Sequence, residues 1–535
     1  VVECELNNTG DQPLTFNGWR PIMIDGPGAS LRVGDEPWRA SVLINGYQSW
    51  DYAGIHPLDE AVKEGGGRPP VSSWWTAAIS DGQAMFVAQV LKASRFATIF
   101  RWHYHRDQPS GAELPTEIPT FIAEQQGSPL SQPEQRSGLP EELQLEVPPH
   151  SGLISDPILL TAGDEGTATL HRALEAAGRA SGALTFPSVP RGWCSWYHLG
   201  LAVTEDDIGR HAAFLARRLP QLAKTAREYR PVIQLDDGWM PRWQQWGDWV
   251  ANEFFSQGLS ALTTRIHRHR LEAGIWLAPF HAAAGSKLAQ AHPDWLLRAQ
   301  DGSALVDPRL GTPFNLLDAT HPGAQAFLRD LFLGLRREGF TYFKLDFLYG
   351  AAYEAGRHDA SVTGTQALRL GLKVIADAIN PPGKPERCFI LSCGAPMMPV
   401  VGLCHGARTG GDVGAPVLED GKAAAPQLGF PLILSMARNQ AARLFFDKAL
   451  FAVDADVVMA AAPQLTEDEA RVMITIAALS GGLYMLSDDL ETLPAERLAL
   501  LRNPNVLQLV GGQAGEPVHL FSAPEREAQD HWFSL

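Results

Sequence analysis

Up to about residue 185 the apolar positions come in short alternating runs, among them Leu31 to Val33, Ala40 to Ile44 and Ala84 to Val90, broken by Gly, Pro and Asp. Alternation with a period of two sends successive side chains to opposite faces, so these runs predict half-buried strands and an N-terminal β-sandwich. Gln108 to His150, rich in Pro, Gln, Glu, Gly and Ser, reads as a long surface loop inside that domain. Gly166 to Ser181 reads as a helix that bridges to the next domain. From about residue 190 the pattern changes to short apolar strands separated by helical segments, the signature of βα units around a parallel sheet. Eight strands are predicted: Gly192 to Tyr197, Pro231 to Asp236, Gly274 to Pro279, Tyr342 to Phe347, Cys388 to Ser392, Gly406 to Thr409, Ala449 to Asp454 and Gly482 to Leu486. Eight such repeats over about 300 residues fit a (β/α)8 TIM barrel of the α/β class better than an open doubly wound sheet. No GxGxxG or GxxxxGK[ST] segment supports a nucleotide site. The expected organisation is a sandwich over 1–185, a barrel over 186–490, and a short C-terminal β segment over 491–535 built around Val518 to Phe521.

Composition narrows the partners. The 535 residues are 45% hydrophobic and 19% charged, with ordinary Gly and Pro usage, so the chain is globular. A net charge of −16 argues against a sequence-independent grip on nucleic acid or an anionic membrane, both of which need a basic face. A neutral substrate fits better. The five cysteines form no CxxC pair and read as reduced thiols, not as a disulfide framework or zinc site. The longest weakly charged stretch, Val472 to Ser487, is broken by Gly481 and Gly482 and falls short of the roughly 20 residues a membrane helix needs. The chain opens on Val1 and shows no basic-then-apolar leader, which makes a cytoplasmic location the expectation and leaves upstream processing open. Homo-oligomerisation also stays open. Fifteen tryptophans are the one compositional excess; most are expected in the core, with a few free to face a sugar ring.

In a TIM barrel the chemistry lives at the C-terminal strand ends, and here those ends carry charge. Strand two ends in Gln234-Leu235-Asp236-Asp237-Gly238-Trp239, strand four in Lys344-Leu345-Asp346, strand six in Arg408-Thr409-Gly410-Gly411-Asp412, and strand one near Trp196. Singly, each has a bland reading as a helix cap, an ion pair or a loop tie. Together, at one rim, they ask for a functional one. Lys344 and Asp346 are two apart on a strand and so share a side, and a neighbouring ammonium favours an ionised carboxylate suited to a nucleophile. If Asp412 faces an ionised Asp346, like-charge repulsion raises its pKa while Arg408 pulls the other way, and the sign of the balance is open. Two carboxylates with divided ionisation are the parts needed for glycoside hydrolysis. Acyl transfer fits poorly, since there is no GxSxG elbow and neither Cys194 nor Cys393 has an adjacent His. The pair His103 and His105 lacks a third ligand, and His267 and His269 read as solvated surface, so no metal and no cofactor are expected.

Six segments, in order at successive strand ends, are similar to those of the family 36 glycoside hydrolases, the retaining α-galactosidases of the melibiase group. They are Gly192 to Tyr197, Leu235 to Trp239, Gly274 to Pro279, Lys344 to Phe347, Cys393 to Pro396 and Arg408 to Asp412. The resemblance implies that Asp346 is the nucleophile and Asp412 the general acid/base. It also implies that Asp236 and Asp237 accept from the galactose 4- and 6-hydroxyls, with Lys344 on the 3- and 4-hydroxyl side. By the same carry-over Arg408 and Cys393 lie near the 2-hydroxyl, and Trp196 and Trp276 form apolar walls. The N-terminal domain of the family is a β-supersandwich that lends the pocket an aromatic residue; Asn45 to Asp51 looks like that loop, with Trp50 as the contact. The implied partners are α-galactoside oligosaccharides. A transglycosylase or an α-N-acetylgalactosaminidase of the same fold, and more distantly a non-catalytic α-galactoside-binding protein, are the alternatives.

Overall fold

The computed structural model describes residues 1–26, 28–34, 40–58, 71–103, 117–118, 120–128, 143–186, 188–224, 230–241, 245–311, 313–385, 387–419, 422–518 and 520–521. The N-terminal part holds a five-stranded antiparallel sheet in the order Ile158–Gly163, Met85–Val90, Thr76–Ser80, Ser41–Asn45, Ala53–Pro57. A four-stranded sheet accompanies it, in the order Trp19–Ile24, Thr120–Gln126, Ala97–His103, Val71–Trp74. Two of the predicted runs appear as Ser41–Asn45 and Met85–Val90, whereas Leu31 makes only an isolated bridge to Ile118. The stretch from Gln108 to His150 is not a single loop. Thr120–Gln126 inside it is an inner strand of the four-stranded sheet, and Leu145–Val147 pairs with Leu14–Phe16. The bridging helix is present as Thr167–Ser181, entered through Gly166 and closed by Gly182 in the left-handed conformation that glycine tolerates.

All eight predicted barrel strands form, with one or both ends differing from the expected ones by one to three residues. They are Arg191–Cys194, Val232–Leu235, Glu272–Leu277, Phe340–Leu345, Phe389–Ser392, Gly406–Arg408, Ala452–Asp454 and Tyr484–Leu486, all parallel. A ninth segment, Val457–Val458, pairs with Tyr484–Leu486. It is the continuation of strand seven: Ala452–Asp454 pairs with strand six, the chain breaks at Ala455 and Asp456, and Val457–Val458 pairs with strand eight. The two edges of the nine-segment sheet are thus halves of one bent strand, and the barrel closes through it.

Helix starts are written locally. Thr204 with Asp207, Thr363 with Gln366 and Thr466 with Glu469 form reciprocal capping boxes at the heads of Glu205–Arg218, Gly364–Ile379 and Glu467–Leu479. One hydrophobic cluster runs without interruption from Ile79 and Phe121 of the N-terminal sheets to Ile233 and Leu345 of the barrel. The tail departs from expectation. Its described residues form two short helices, Ala495–Leu501 and Pro504–Leu509, and Val518, Leu520 and Phe521 lie in turns, not in a β segment. Pro504 at a first helical turn and the apolar Leu498, Leu501 and Leu507, all buried, explain a helical reading of that stretch.

Candidate active site

Asp346 lies just past strand four, 8% exposed, and both its oxygens are held. The indole N–H of Trp276 donates to Oδ2 at 2.9 Å and the backbone N–H of Phe347 donates to Oδ1 at 2.8 Å. Phe347 has φ 52°, a left-handed backbone unusual for a bulky side chain, directly beside the residue at issue. The Lys344 ammonium, expected to act on Asp346, makes its ion pair with Asp236 instead, at 3.0 Å. Trp276, expected as an apolar wall, is 2% exposed and spends its polar edge on Asp346.

Strand two supplies the Asp pair. Asp236 Oδ2 accepts from Lys344 Nζ, from Gln234 and from the Cys194 thiol, and its Oδ1 accepts the Asp237 N–H at 2.9 Å. Burial disfavours charge on Lys344, but the Asp236 carboxylate overcomes it and holds the ammonium well above its ordinary range. Asp237 makes no ion pair among the described residues, and burial followed by repulsion from Asp236 pushes its carboxyl up to about 8. Asp237 is therefore largely the neutral acid at neutral pH.

Arg408, 2% exposed, ends strand six at the centre of three carboxylates. Nη1 donates to Asp412 Oδ1 at 2.9 Å, Nε to Asp454 at 3.2 Å, and Nη2 contacts Asp456 at 2.7 Å. Asp412 itself is half exposed, with its second oxygen free of protein donors among the described residues. A Cβ at the neighbouring Gly411 would meet nothing within 4 Å, which agrees with open space beside Asp412. The Gly414–Glu419 and Lys422–Leu428 hairpin that follows packs against the four-residue helix carrying the half-buried Trp196.

The N-terminal loop reaches this rim. Ser49 N–H donates to Ala395 O at 2.9 Å, Gln48 bridges to Pro396, and the Trp50 indole N–H donates to the Cys393 sulfur at 3.4 Å. Gly394, at φ 55°, is needed there, because a Cβ would come within 2.8 Å of the Trp50 ring. Trp50 meets Phe347 edge-on at 5.2 Å, and Arg309 stands over it at 5.7 Å. Burial and the nearby Asp346 keep the Cys393 thiol protonated, so it is a neutral contact and no nucleophile.

The structure thus gathers Asp236, Asp237, Trp276, Lys344 and Asp346 in one network, with Trp50 and Cys393 joined to it through Phe347, and Arg408 and Asp412 in a second. Sequence reasoning missed Gln234, Cys194, Asp454, Asp456 and Arg309. For four of these the signal was present: Gln234 stands two before Asp236, Cys194 two before Trp196, and Asp454 and Asp456 are two apart at the end of strand seven, the same spacing that singled out Lys344 and Asp346. Of the histidine pair, His105 lies outside the described residues; His267 and His269 are half-buried.

Residues 211–377 match the Melibiase family model. Alpha-galactosidase 2 of Pediococcus pentosaceus is 31% identical over 124 residues, 22% of this chain and 16% of that protein. A bifunctional alpha-galactosidase/sucrose kinase of Mediterraneibacter gnavus is 36% identical over 93 residues, 16% of this chain and 10% of that one. Each match therefore spans a small part of the curated relative. Among solved structures, the Thermus thermophilus alpha-galactosidase TtGalA superposes with a TM-score of 0.61 at 23% identity, covering 94% of each chain. The Geobacillus stearothermophilus GH36 alpha-galactosidase AgaA gives 0.65 at 13% identity, over 94% of this chain and 64% of that one. With the barrel, the preceding antiparallel sheets and the matched segment on one chain, the protein has the fold of the GH36 alpha-galactosidases and carries, over residues 211–377, a segment similar to the Melibiase family.

Proposed function

We propose that the chain is a retaining, exo-acting α-galactosidase that releases terminal α-D-galactosyl residues from oligosaccharides. The observation that carries this is the contrast between two carboxylates: Asp346 is buried with N–H donors on both oxygens, while Asp412 is exposed, with one oxygen on Arg408 and one left over. In the first step Asp412 gives its proton to the glycosidic oxygen as Asp346 attacks the anomeric carbon, through an oxocarbenium-like transition state. In the second, Asp412 takes a proton from water, which displaces Asp346 from the sugar. Asp236, Lys344 and Asp237 bind the galactose hydroxyls. An axial 4-hydroxyl meets the Asp236–Asp237 group, and an equatorial one leaves a buried charge poorly paired. Cys393, Trp50 and Trp196 shape the rest of the pocket. No cofactor or metal takes part.

Oligosaccharide substrates are supported by TtGalA, solved with stachyose, and by an AgaA variant, solved with raffinose. A second reading has its own observation. An A type blood alpha-D-galactosamine galactosaminidase of Flavonifractor plautii is 34% identical over 127 residues, which makes an N-acetylated or amino sugar at the 2-position the nearest competitor. Aryl α-galactoside, α-galactosaminide, α-N-acetylgalactosaminide and α-glucoside assayed side by side, with and without sucrose as acceptor, decide between them. The proposal expects the galactoside to lead by at least about tenfold in kcat/KM with water as the main acceptor. A lead for either amino sugar, or transfer to sucrose exceeding hydrolysis, overturns it.

A further inference from the structure

A second cluster of chemistry-bearing side chains lies on the seam where strand eight meets strand one, and it uses none of the residues assigned to the sugar. His198 sits on the Trp196–Leu199 helix, His211 on Glu205–Arg218, and Asp489 just after strand eight. One ligand atom from each lies within 4.8 Å of those of the other two, and His198 Nε2 is 3.8 Å from Asp489 Oδ1. We propose that His198, His211 and Asp489 bind a divalent transition-metal ion of the zinc class.

Three observations support it beyond proximity. His211 is 1% exposed, its ring stacked on Trp193 at 4.2 Å, and its Nδ1 is buried with no hydrogen-bond partner among the described residues. Buried polar atoms are ordinarily paired, and a metal bond to this ring would account for the exception. Asp489 is already oriented as ligating carboxylates are: its Oδ1 accepts the Glu491 N–H at 3.1 Å and its Oδ2 the Thr492 hydroxyl at 2.9 Å. The charge around the cluster also favours a cation, since Asp207, Asp489 and Glu491 face the single guanidinium of Arg210, which pairs with both Asp207 and Glu491.

Two imidazoles and one carboxylate are the donor set of zinc, nickel or cobalt, and not of magnesium or calcium, which prefer oxygen alone. Bonds of about 2.0–2.1 Å put tetrahedral ligand atoms about 3.4 Å apart. Closing the site thus asks the half-buried His198 and Asp489 to move by about 1 Å around a fixed His211, with water as the fourth ligand. Occupancy would tie the end of strand eight to the helix that carries Trp196.

The test uses the full, untagged chain, stripped with a chelator and titrated calorimetrically with zinc chloride, with magnesium chloride as the control and metal content counted by mass spectrometry. The expected result is about one zinc per chain and a melting temperature that rises with zinc but not with magnesium. His198→Ala and Asp489→Asn, both on half-buried side chains that leave the Trp193 stack intact, should each weaken zinc at least about tenfold, and Thr492→Val should weaken it less. Absence of stoichiometric zinc on the wild-type chain, or equal affinity in both ligand variants, overturns the proposal. Because the readout is metal binding and melting, it stands or falls independently of the hydrolase reading.

Discussion

At the scale of single residues, the Asp236–Asp237 pair shows how position and environment part company. Adjacency in sequence makes the two look alike, but Asp236 has Lys344, Gln234 and Cys194 around it while Asp237 has a backbone N–H from Gly238 and a carboxylate neighbour. Asp237 is lifted to about 8. If sugar hydroxyls donate to it, binding favours the ionised form. KM for a galactoside then falls as pH rises from about 6 to 8 and levels off above. Asp237→Asn, which stays neutral throughout, should raise KM and remove that slope; a variant with the wild-type slope would show that another group titrates. The strand-end rule made both aspartates legible in the sequence. What it left out was Asp454 and Asp456, whose spacing is the same but whose partner, Arg408, is only seen once strands six and seven lie side by side with Arg408 opposite Asp454.

At the scale of elements, the loop carrying Trp50 is fastened by one side chain from the barrel. Arg443, at the end of the Phe430–Arg443 helix, is fully buried and donates to Asn45 Oδ1 at 2.8 Å and to the carbonyls of Ser49 at 2.6 Å, Gln48 at 3.2 Å and Thr409 at 3.1 Å. Arg443→Met strands these acceptors, at about 1–3 kcal/mol for each one left unsatisfied. The variant should lose at least about 2 kcal/mol in urea unfolding and show a raised KM as Trp50 loosens. Unchanged stability would remove Arg443 as the fastener. On the barrel side Asp456, at φ 79°, accepts from Val413 N–H and Tyr197 O–H and contacts Arg408, so Asp456→Ala frees the guanidinium that holds Asp412. Its expected effect is a fall in kcat of about tenfold or more, since geometry near the acid/base changes while the sugar contacts stay; a change in KM alone would argue otherwise.

Elements that keep the two-residue or helical period were legible, which is why all eight barrel strands and the Thr167–Ser181 helix were found. Thr120–Gln126 was not, because one of its inward positions is Gln125, fully buried and exchanging hydrogen bonds with the backbone of Asp156, so the strand ends in polar residues and reads as loop. The ninth sheet segment was missed for another reason: the break at Ala455 and Asp456 is a backbone event, and aspartate does not announce a left-handed conformation as glycine would.

At the scale of the whole molecule, buried carboxyls set a pH dependence that net charge does not reveal. Burial raises Asp237 to about 8 and Asp456 to about 7, and Asp156, Asp447 and Asp488 to about 6 each. Each holds its proton more tightly in the folded chain than in the unfolded one. The stability this brings is present at low pH and is lost as pH rises through the folded values. His211, pushed down to about 4, works the other way, but only below its ordinary value near 6.5. The melting temperature should therefore fall between about pH 6.5 and 8.5, less steeply in Asp237→Asn. A flat or rising profile would mean these groups are solvated. The −16 charge and the tryptophan excess carried less than the arithmetic suggested, for Trp75, Trp102, Trp193 and Trp239 are fully buried packing. Among the described residues no helix is long and apolar enough to cross a membrane.

The central claim is that Asp346 attacks the sugar and Asp412 serves the leaving group, and one product distinguishes these roles. In Asp346→Gly, azide can occupy the vacated face and displace an activated aryl α-galactoside directly. The account predicts a turnover lower by at least about a thousandfold, partly restored by azide, with β-galactosyl azide as the product seen by proton NMR. Formation of α-galactosyl azide, or near-normal turnover without azide, would contradict it.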